Sequence, residues 1–292
     1  MFMNILKQKG YYYLDHSFRS GGKVIHKRKY LGKELPENLE EIKEAFLREC
    51  MQESVFKKLN DIRKNFKSEW KKYPDSIKKE ILIDLSISFT YNTNAIEGST
   101  ITLHETEEII RKRIAPNKPL RDIQETINHS KVFFRVINEK SEFSNEMLLN
   151  WHKEMFSDTK PDIAGKFRDY LVRVGNYRTP DWQDIGKLMK EFFIWYNKNK
   201  QIMHPVELAA RAHYRFEKIH PFGDGNGRIG RLIIAYILRK ANYPLLIIEY
   251  KKRKSYYHAL TKTEIDFMNW FFRSYVSAHK RYLGNSRTKF IK

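Results

Sequence analysis

His220-Pro221-Phe222-Gly223-Asp224-Gly225-Asn226-Gly227-Arg228-Ile229-Gly230-Arg231 is the stretch on which the reading of this chain turns. It gathers a histidine, a carboxylate and two arginines around a Gly-Asn-Gly turn that feeds an apolar helix. Gly225 and Gly227 can take positive φ and admit a ligand close to the backbone, so successive N–H groups can form an anion-binding nest. The following helix adds its positive N-terminal end. Arg228 and Arg231 stand three apart, share a helix face and can reach one polyphosphate. Asp224 suits an oxygen ligand of a Mg²⁺ bridging two phosphates. His220, with an ordinary pKa near 6.5, suits a general base towards an attacking hydroxyl. Phe222 would pin the loop between them.

Other readings of the same residues fail on particulars. Counted from Asp224, a calcium loop needs glycine at position 6 and a glutamate at position 12, where Ile229 and Ala235 stand. No Gly-x-x-x-x-Gly-Lys-[Ser/Thr] run is present, which excludes a P-loop. Asp-Gly-Asn-Gly alone is turn chemistry, but no packing demand calls for the histidine and arginines around it.

Working outward, Pro205 to Ile219 and Arg228 to Ala241 read as helices on either side of the loop, and Ser255 to Ser277 as one more. Tyr170, Val172 and Val174 alternate with Leu171 and Arg173 before Gly175-Asn176, which predicts a short β-hairpin between Phe167 and Pro180. Helical periodicity also covers Asp184 to Asn197, Asn145 to Phe156, Ile123 to Ile137, Ser76 to Asn94 and Glu40 to Lys71. Gly98 offers an exit from the helix over 76–94, and Thr102-Leu103-His104-Glu105 is a capping box that starts the next one. Tyr11 to Tyr30 alternates β-formers with polar residues around Ser20-Gly21-Gly22, a hairpin pattern. The fold class is therefore mainly α, with a small N-terminal β-ribbon and one further hairpin.

The totals set outer limits. With 41% apolar and 14% aromatic residues over 292 positions, the chain can bury a sizeable core. Lys and Arg number 55 against 35 Asp and Glu, a net +20 that favours nucleotides, nucleic acid or acidic proteins as partners. Cys50 is the only cysteine, so no internal disulfide or cysteine-based zinc site can form, and a reducing compartment is the simpler expectation. No apolar run is long enough to span a membrane, and Met1-Phe2-Met3-Asn4-Ile5-Leu6 is too short for a signal peptide, so a soluble cytoplasmic protein is expected. Tyr11, Tyr12, Tyr13, Arg19, Lys23, His26, Lys27, Arg28 and Lys29 fit a ribbon lying along nucleic acid, or a solvated hairpin packed on its neighbour.

The run His220 to Arg231 matches in full the motif His-x-Phe-x-[Asp/Glu]-Gly-Asn-Gly-Arg-x-x-Arg, and with it the chain resembles the Fic family. His204-Pro205, Ala209-Ala210 and His213 resemble the helix before that family's catalytic loop. Gly165-Lys166-Phe167-Arg168 and Val174-Gly175-Asn176-Tyr177 resemble the segment leading into its substrate-aligning flap. Tyr256-Tyr257-His258-Ala259-Leu260 looks like the stretch lining the adenine pocket, while Glu264 stands where some relatives carry an asparagine. The likeness covers about residues 120 to 280. It implies a Fic-fold helical bundle that transfers AMP from ATP, with Mg²⁺, to a Ser, Thr or Tyr hydroxyl of a target protein. His220 would be the base and Asp224 the metal ligand. Gly225, Asn226, Gly227, Arg228 and Arg231 would bind the phosphates. Val174, Gly175, Asn176 and Tyr177 would hold the flap edge, and Tyr256 and Tyr257 would line the adenine pocket, aromatic core packing being the other reading for the last two.

Thr93-Asn94-Ala95-Ile96-Glu97-Gly98 resembles the family's inhibitory motif, [Ser/Thr]-x-x-x-Glu-[Gly/Asn], in the class where the inhibitory helix precedes the core. A Glu97 carboxylate beside Arg231 would take the partner that a γ-phosphate needs. The expected organisation is a basic β-ribbon over 1–35, a helical region with the inhibitory helix over 36–118, and the catalytic core with C-terminal helices over 119–292. Removal of AMP by the same site, and a nucleic-acid-binding regulator built on a Fic core, are the alternatives. The second rests on the net charge, the ribbon and Lys251-Lys252-Arg253-Lys254. A homodimer is compatible with each.

Overall fold

Helix α9 (Asn226–Lys240) is buried on every side along most of its length, and its run Leu232 to Leu238, apolar all round, has to lie inside other elements. In this computed structural model, which describes residues 3–20, 23–175 and 177–283, the chain forms two compact units. One comprises residues up to Asn65 together with those from Phe272; the other is Phe66–Phe271. Among the described residues no helix is long and apolar enough to cross a membrane.

In the larger unit α9 packs against α8 (Pro205–Ile219), α5 (Leu120–Asn138), α6 (Asn145–Phe156) and α3 (Asp75–Ile96). α7 (Ile185–Asn199) lies on α8. Local chemistry fixes the ends. His204 caps α8 by accepting from the Val206 N–H, with Pro205 in the first turn. The Thr102–Glu105 capping box starts α4 (Leu103–Glu107) with both of its bonds made, at 2.8 and 3.2 Å. The helix expected over 255–277 is two, α10 (Arg253–Thr261) and α11 (Glu264–Ala278). The physical reason is Thr263, whose hydroxyl accepts from the Asp266 N–H at 3.2 Å and so caps a new start. The hairpin between 167 and 180 is short: β4 (Arg173–Val174) pairs with β5 (Tyr177–Arg178). Asn176 lies outside the described residues.

In the smaller unit the expected two-stranded ribbon is a three-stranded antiparallel sheet in the order β1-β2-β3, formed by Met3–Gln8, Tyr11–Ser20 and Lys23–Gly32. Strand β1 is added through Lys9 and Gly10, at φ 50° and 82°, the two positive values that a tight two-residue hairpin turn requires. Gly21 and Gly22, the turn expected from the sequence, lie outside the described residues. Leu14 and Phe18 of β2 bury against Phe46 and Cys50 of α1 (Leu39–Met51), which continues through a π-helical turn into α2 (Lys57–Lys72). The lone cysteine is thus a core residue.

Candidate active site

α8 ends at His220, which takes the left-handed conformation at φ 52° and turns the chain into the loop. Phe222 is fully buried and stacks on His152, ring centroids 3.9 Å apart. Asn226 closes the loop on itself: its Oδ1 accepts from the Phe222 N–H at 2.9 Å and its Nδ2 donates to the Phe222 carbonyl at 2.8 Å. His152 adds a third tie. Its Nδ1 accepts from Gly165 N–H, so its Nε2 carries the proton donated to the Asp224 carbonyl at 3.0 Å. Gly225 has φ 78°, and a Cβ there would stand 2.3 Å from the Phe156 ring. Only glycine fits that position.

Helix geometry leaves the N–H groups of Asn226, Gly227 and Arg228 without intrahelical acceptors. Glu97, at the C-terminal cap of α3, faces the same turn. Its Oε1 accepts from Arg231 Nη2 at 2.6 Å, and Thr93 Oγ1 accepts from Arg231 Nε at 2.6 Å. Arg231 is 2% exposed, and its remaining Nη1, beside Gly227, finds no hydrogen-bond acceptor. Burial works against its charge, but the Glu97 carboxylate more than offsets this and holds it protonated. The inhibitory-motif residues Thr93 and Glu97 and the last arginine of the loop therefore meet, from positions 134 and more residues apart.

Asp224 is engaged by Lys160, by Arg228 Nη2 at 3.4 Å and by the Gly225 N–H at 2.5 Å. Burial pushes its carboxyl up, yet Arg228 and Lys160 outweigh burial and hold it down at about 2. Lys160 also reaches Glu125 at 3.2 Å, and Glu125 in turn takes Arg228 and Arg121. Arg228 is thus fixed by two carboxylates and lies 4.5 Å over the Phe156 ring.

Burial, first of all, lowers His220 to about 4, so the imidazole is neutral at pH 7. Its Nδ1 lies 3.8 Å from Glu217, whose carboxyl burial raises to about 8. Nδ1 therefore faces the interior, leaving Nε2 for a substrate. Arg168 ties His220 to the hairpin: its Nε donates to the His220 carbonyl at 2.9 Å, and its other guanidinium nitrogens donate to the Tyr170 and Pro180 carbonyls. Tyr177 donates its hydroxyl proton to the Lys218 carbonyl at 3.0 Å, bringing the hairpin beside the end of α8, while Val174 and Gly175 stay exposed.

The two tyrosines part company. Tyr256 is 1% exposed and hydrogen-bonds His213, behind Arg231, so its ring is core. Tyr257 is 40% exposed and donates to the Ile96 carbonyl at 3.3 Å, beside Glu97. Glu264 is held by Arg211 and Arg215, each at 3.1 Å. Sequence reasoning missed Lys160, Glu125 and Glu217. Arg168 belongs to the segment Gly165-Lys166-Phe167-Arg168, whose sequence alone does not mark it as the tie between His220 and the hairpin.

The fold and loop define a class: an α-helical domain whose buried central helix opens on a glycine-rich turn, with a histidine and a carboxylate on that turn. Residues 142–238 match the model of the Fic/DOC family. Over 175 residues it is 37% identical to the protein adenylyltransferase Fic of Drosophila ananassae, and over 178 residues 34% identical to that of Nematostella vectensis. These stretches are 58% and 59% of this chain, but only 35% and 42% of the relatives' own length. The fold is shared with a Fic-domain-containing signaling protein from Bacteroides thetaiotaomicron, at a TM-score of 0.67 and 24% identity, covering 80% of this chain and 99% of that one. It is shared as well with Fic-1 of C. elegans, residues 134–508, at a TM-score of 0.68 and 24% identity, covering 82% and 73%.

Proposed function

We propose that the chain is a protein adenylyltransferase that moves AMP from ATP to a Ser, Thr or Tyr hydroxyl of a target protein, and that it rests self-inhibited. The observation that carries the reading is Glu97 on Arg231: a carboxylate already lies where the terminal phosphate of a nucleotide is expected, paired with the arginine that phosphate needs. The relatives named as adenylyltransferases supply the reaction class.

In this reading the hydroxyl oxygen of the target bonds to the α-phosphorus while the bond from that phosphorus to the bridging oxygen breaks, and pyrophosphate leaves with the electron pair. His220 Nε2 takes the hydroxyl proton, a task for which a neutral imidazole is required. The N–H groups of Gly225, Asn226 and Gly227 with the side chains of Arg228 and Arg231 hold the α-, β- and γ-phosphates. The side chain of Asn226 serves the loop, so its share is its backbone N–H. Val174, Gly175, Asn176 and Tyr177 align a target segment as an added strand. Adenine falls to Tyr257, not to the buried Tyr256.

Asp224 fits a Mg²⁺ ligand: one carboxylate, 40% exposed at its side chain, is the donor set expected of an ion that completes its shell with phosphates and water. Bound there, Mg²⁺ would neutralise phosphate charge. Lys160 has to release Asp224 first. Within this scheme α3 is the inhibitory helix, residues 119–292 the catalytic core, and the buried single Cys50 is in keeping with a cytoplasmic setting.

The test is transfer of label from ATP marked at the α-phosphate, in a lysate, by wild type, Glu97→Gly and Glu97→Gly with His220→Ala. Labelled protein is expected from the single variant and not from the double one. Equal labelling by wild type and Glu97→Gly would remove the inhibitory role, and labelling that survives His220→Ala would remove the base.

A further inference from the structure

Residues 1–35 carry eight Lys and Arg against two Asp and Glu, and they form a sheet with only one face in the core. Leu14 and Phe18 point inward from β2, so alternation puts Tyr11, Tyr13 and Asp15 on the opposite face. The register sets Leu6, Tyr13 and Tyr30 in one row across the three strands, and Arg28 opposite Asp15 in the next. Tyr11, Tyr13 and Tyr30 form a ring cluster, Tyr30 lying 5.8 Å from the first and 5.6 Å from the second. Tyr30 is 57% exposed. Three large rings on the solvent side of a sheet are unfavourable for solubility alone, where charged or hydroxyl residues serve better.

Cations frame these rings. Arg28 is held by Asp15 at 3.1 Å and Gln8 at 3.0 Å, with its guanidinium 5.9 Å from the Tyr13 ring. Lys33 stands 5.9 Å from the Tyr11 ring, whereas Lys7 pairs with Tyr12 and lies over that ring on the other face of the sheet. Lys9 occupies the β1–β2 turn at the same end of the sheet. Among the described residues neither Lys9 nor Lys33 has an acidic partner, whereas Lys27 is spent on Glu49 and Glu53. Their charge is available at one end of the sheet, beside the rings.

We infer that this face binds single-stranded nucleic acid, the bases stacking on Tyr30 and its neighbours and the phosphates meeting Lys9 and Lys33. The choice of partner follows from the two chemistries present. An acidic protein would answer the lysines but leave the ring faces idle. A duplex offers phosphates but keeps its base faces stacked. Only unpaired nucleotides use both, in the way aromatic sheet faces and cationic grooves take single strands.

The experiment is fluorescence anisotropy with the full chain and three labelled probes: oligo-dT, oligo-U and a duplex, each of about twelve nucleotides or base pairs, a length matched to one such site. At least one single strand is expected to bind more tightly than the duplex, with affinity falling about tenfold or more between roughly 50 and 200 mM salt. The preferred strand identifies the source as DNA or RNA. Tyr30→Ala should weaken binding about tenfold, Tyr30→Phe should retain it, and Lys33→Ala should flatten the salt dependence. Equal thermal melts of the two Tyr30 variants establish that folding is not the cause; should Tyr30→Ala melt lower, Lys33→Ala, at an unpaired surface lysine, decides in its place. Failure of both single strands to bind at about 50 μM protein, preference for the duplex, or loss of neither affinity nor salt slope in these variants overturns the inference.

Discussion

Glu97 and Gly227 are in contact across the first turn of α9: a Cβ on residue 227 would stand 2.3 Å from the Glu97 Oε1. The glycine of the turn thus has a second use besides backbone freedom, since its missing side chain is the space the carboxylate fills. A carboxylate at a helix N-terminus, paired with a buried arginine, has the electrostatics of a bound phosphate. The loop is therefore held in a ligand-like environment by the chain itself, and α3 is what delivers it.

Removing that carboxylate leaves Arg231 charged and buried, with Thr93 still accepting from it but its carboxylate partner gone. Because Glu97 is 27% exposed at its side chain, the expected cost of Glu97→Gly is about 1–3 kcal/mol, below that of breaking a fully buried pair. The variant should melt several degrees lower than wild type, and ATP should raise its melting point more than it raises that of wild type. Calorimetry with and without nucleotide checks both, and an unchanged melt would mean that the pair contributes nothing to stability.

Lys160 is seated on Asp224 and Glu125 together, with its side chain 15% exposed. If Asp224 holds Mg²⁺ as proposed, a fixed ammonium on its carboxylate competes with the ion. Lys160→Met should therefore lower the Mg²⁺ concentration at which ADP binding is half-enhanced, by about tenfold, the effect of one charge-assisted contact. Titration calorimetry of ADP at graded Mg²⁺ reads this directly. A midpoint that stays put would show that Lys160 yields to the ion without cost.

The loop itself was legible because its residues are contiguous: a glycine that needs φ 78° and a base that caps a helix are local facts. Glu97 was legible only through its motif, since nothing local ties it to Arg231. Lys160 and Glu125 gave no signal at all. A lysine and a glutamate at separate places in a basic chain look like solvated charges until the fold brings both to Asp224 and Arg228. Tyr256, for which pocket lining and core packing both stood open, is taken into the core by packing. Strand β1 was missed because Lys9 is not a usual turn residue, although Gly10 is.

Acid stability follows from the buried histidines. Burial lowers His129 and His213 to about 3 and His152 and His220 to about 4, below the ordinary 6.5 of an unfolded chain. The folded state binds fewer protons there. Their contribution is complete above pH 6.5 and is lost as pH falls through 4 to 3. Asp224, lowered to about 2, acts in the same direction below its ordinary value near 4. Glu217, raised to about 8, acts oppositely: its contribution is complete below about 4.5 and is lost as pH rises to 8. Urea midpoints should fall steeply from pH 6.5 to 4, and replacing Glu217 by Gln should add stability at pH 8 but not at pH 4. Midpoints flat between pH 6.5 and 4 would contradict the assignment of neutral buried histidines.

Two of these groups, His220 and Glu217, would shape the rate of the proposed transfer. With His220, the proposed base, lowered to about 4, its imidazole in Glu97→Gly is almost wholly neutral at pH 5.5, so the proposed transfer there should stay within about twofold of its value at pH 7. An imidazole at 6.5 would lose about tenfold over that interval. At the alkaline end Glu217 ionises near 8, only 3.8 Å from Nδ1, and its negative charge makes the imidazole a stronger base. Transfer by Glu97→Gly should rise between pH 7 and 9, and adding Glu217→Gln should abolish the rise while leaving the rate at pH 6 little changed. Rates followed in a single buffer series, with folding monitored by circular dichroism at each point, separate this from unfolding. A tenfold drop at pH 5.5 in protein that is still folded would mean that His220 titrates near 6.5, and a rise that persists in Glu217→Gln would assign the alkaline limb to another group.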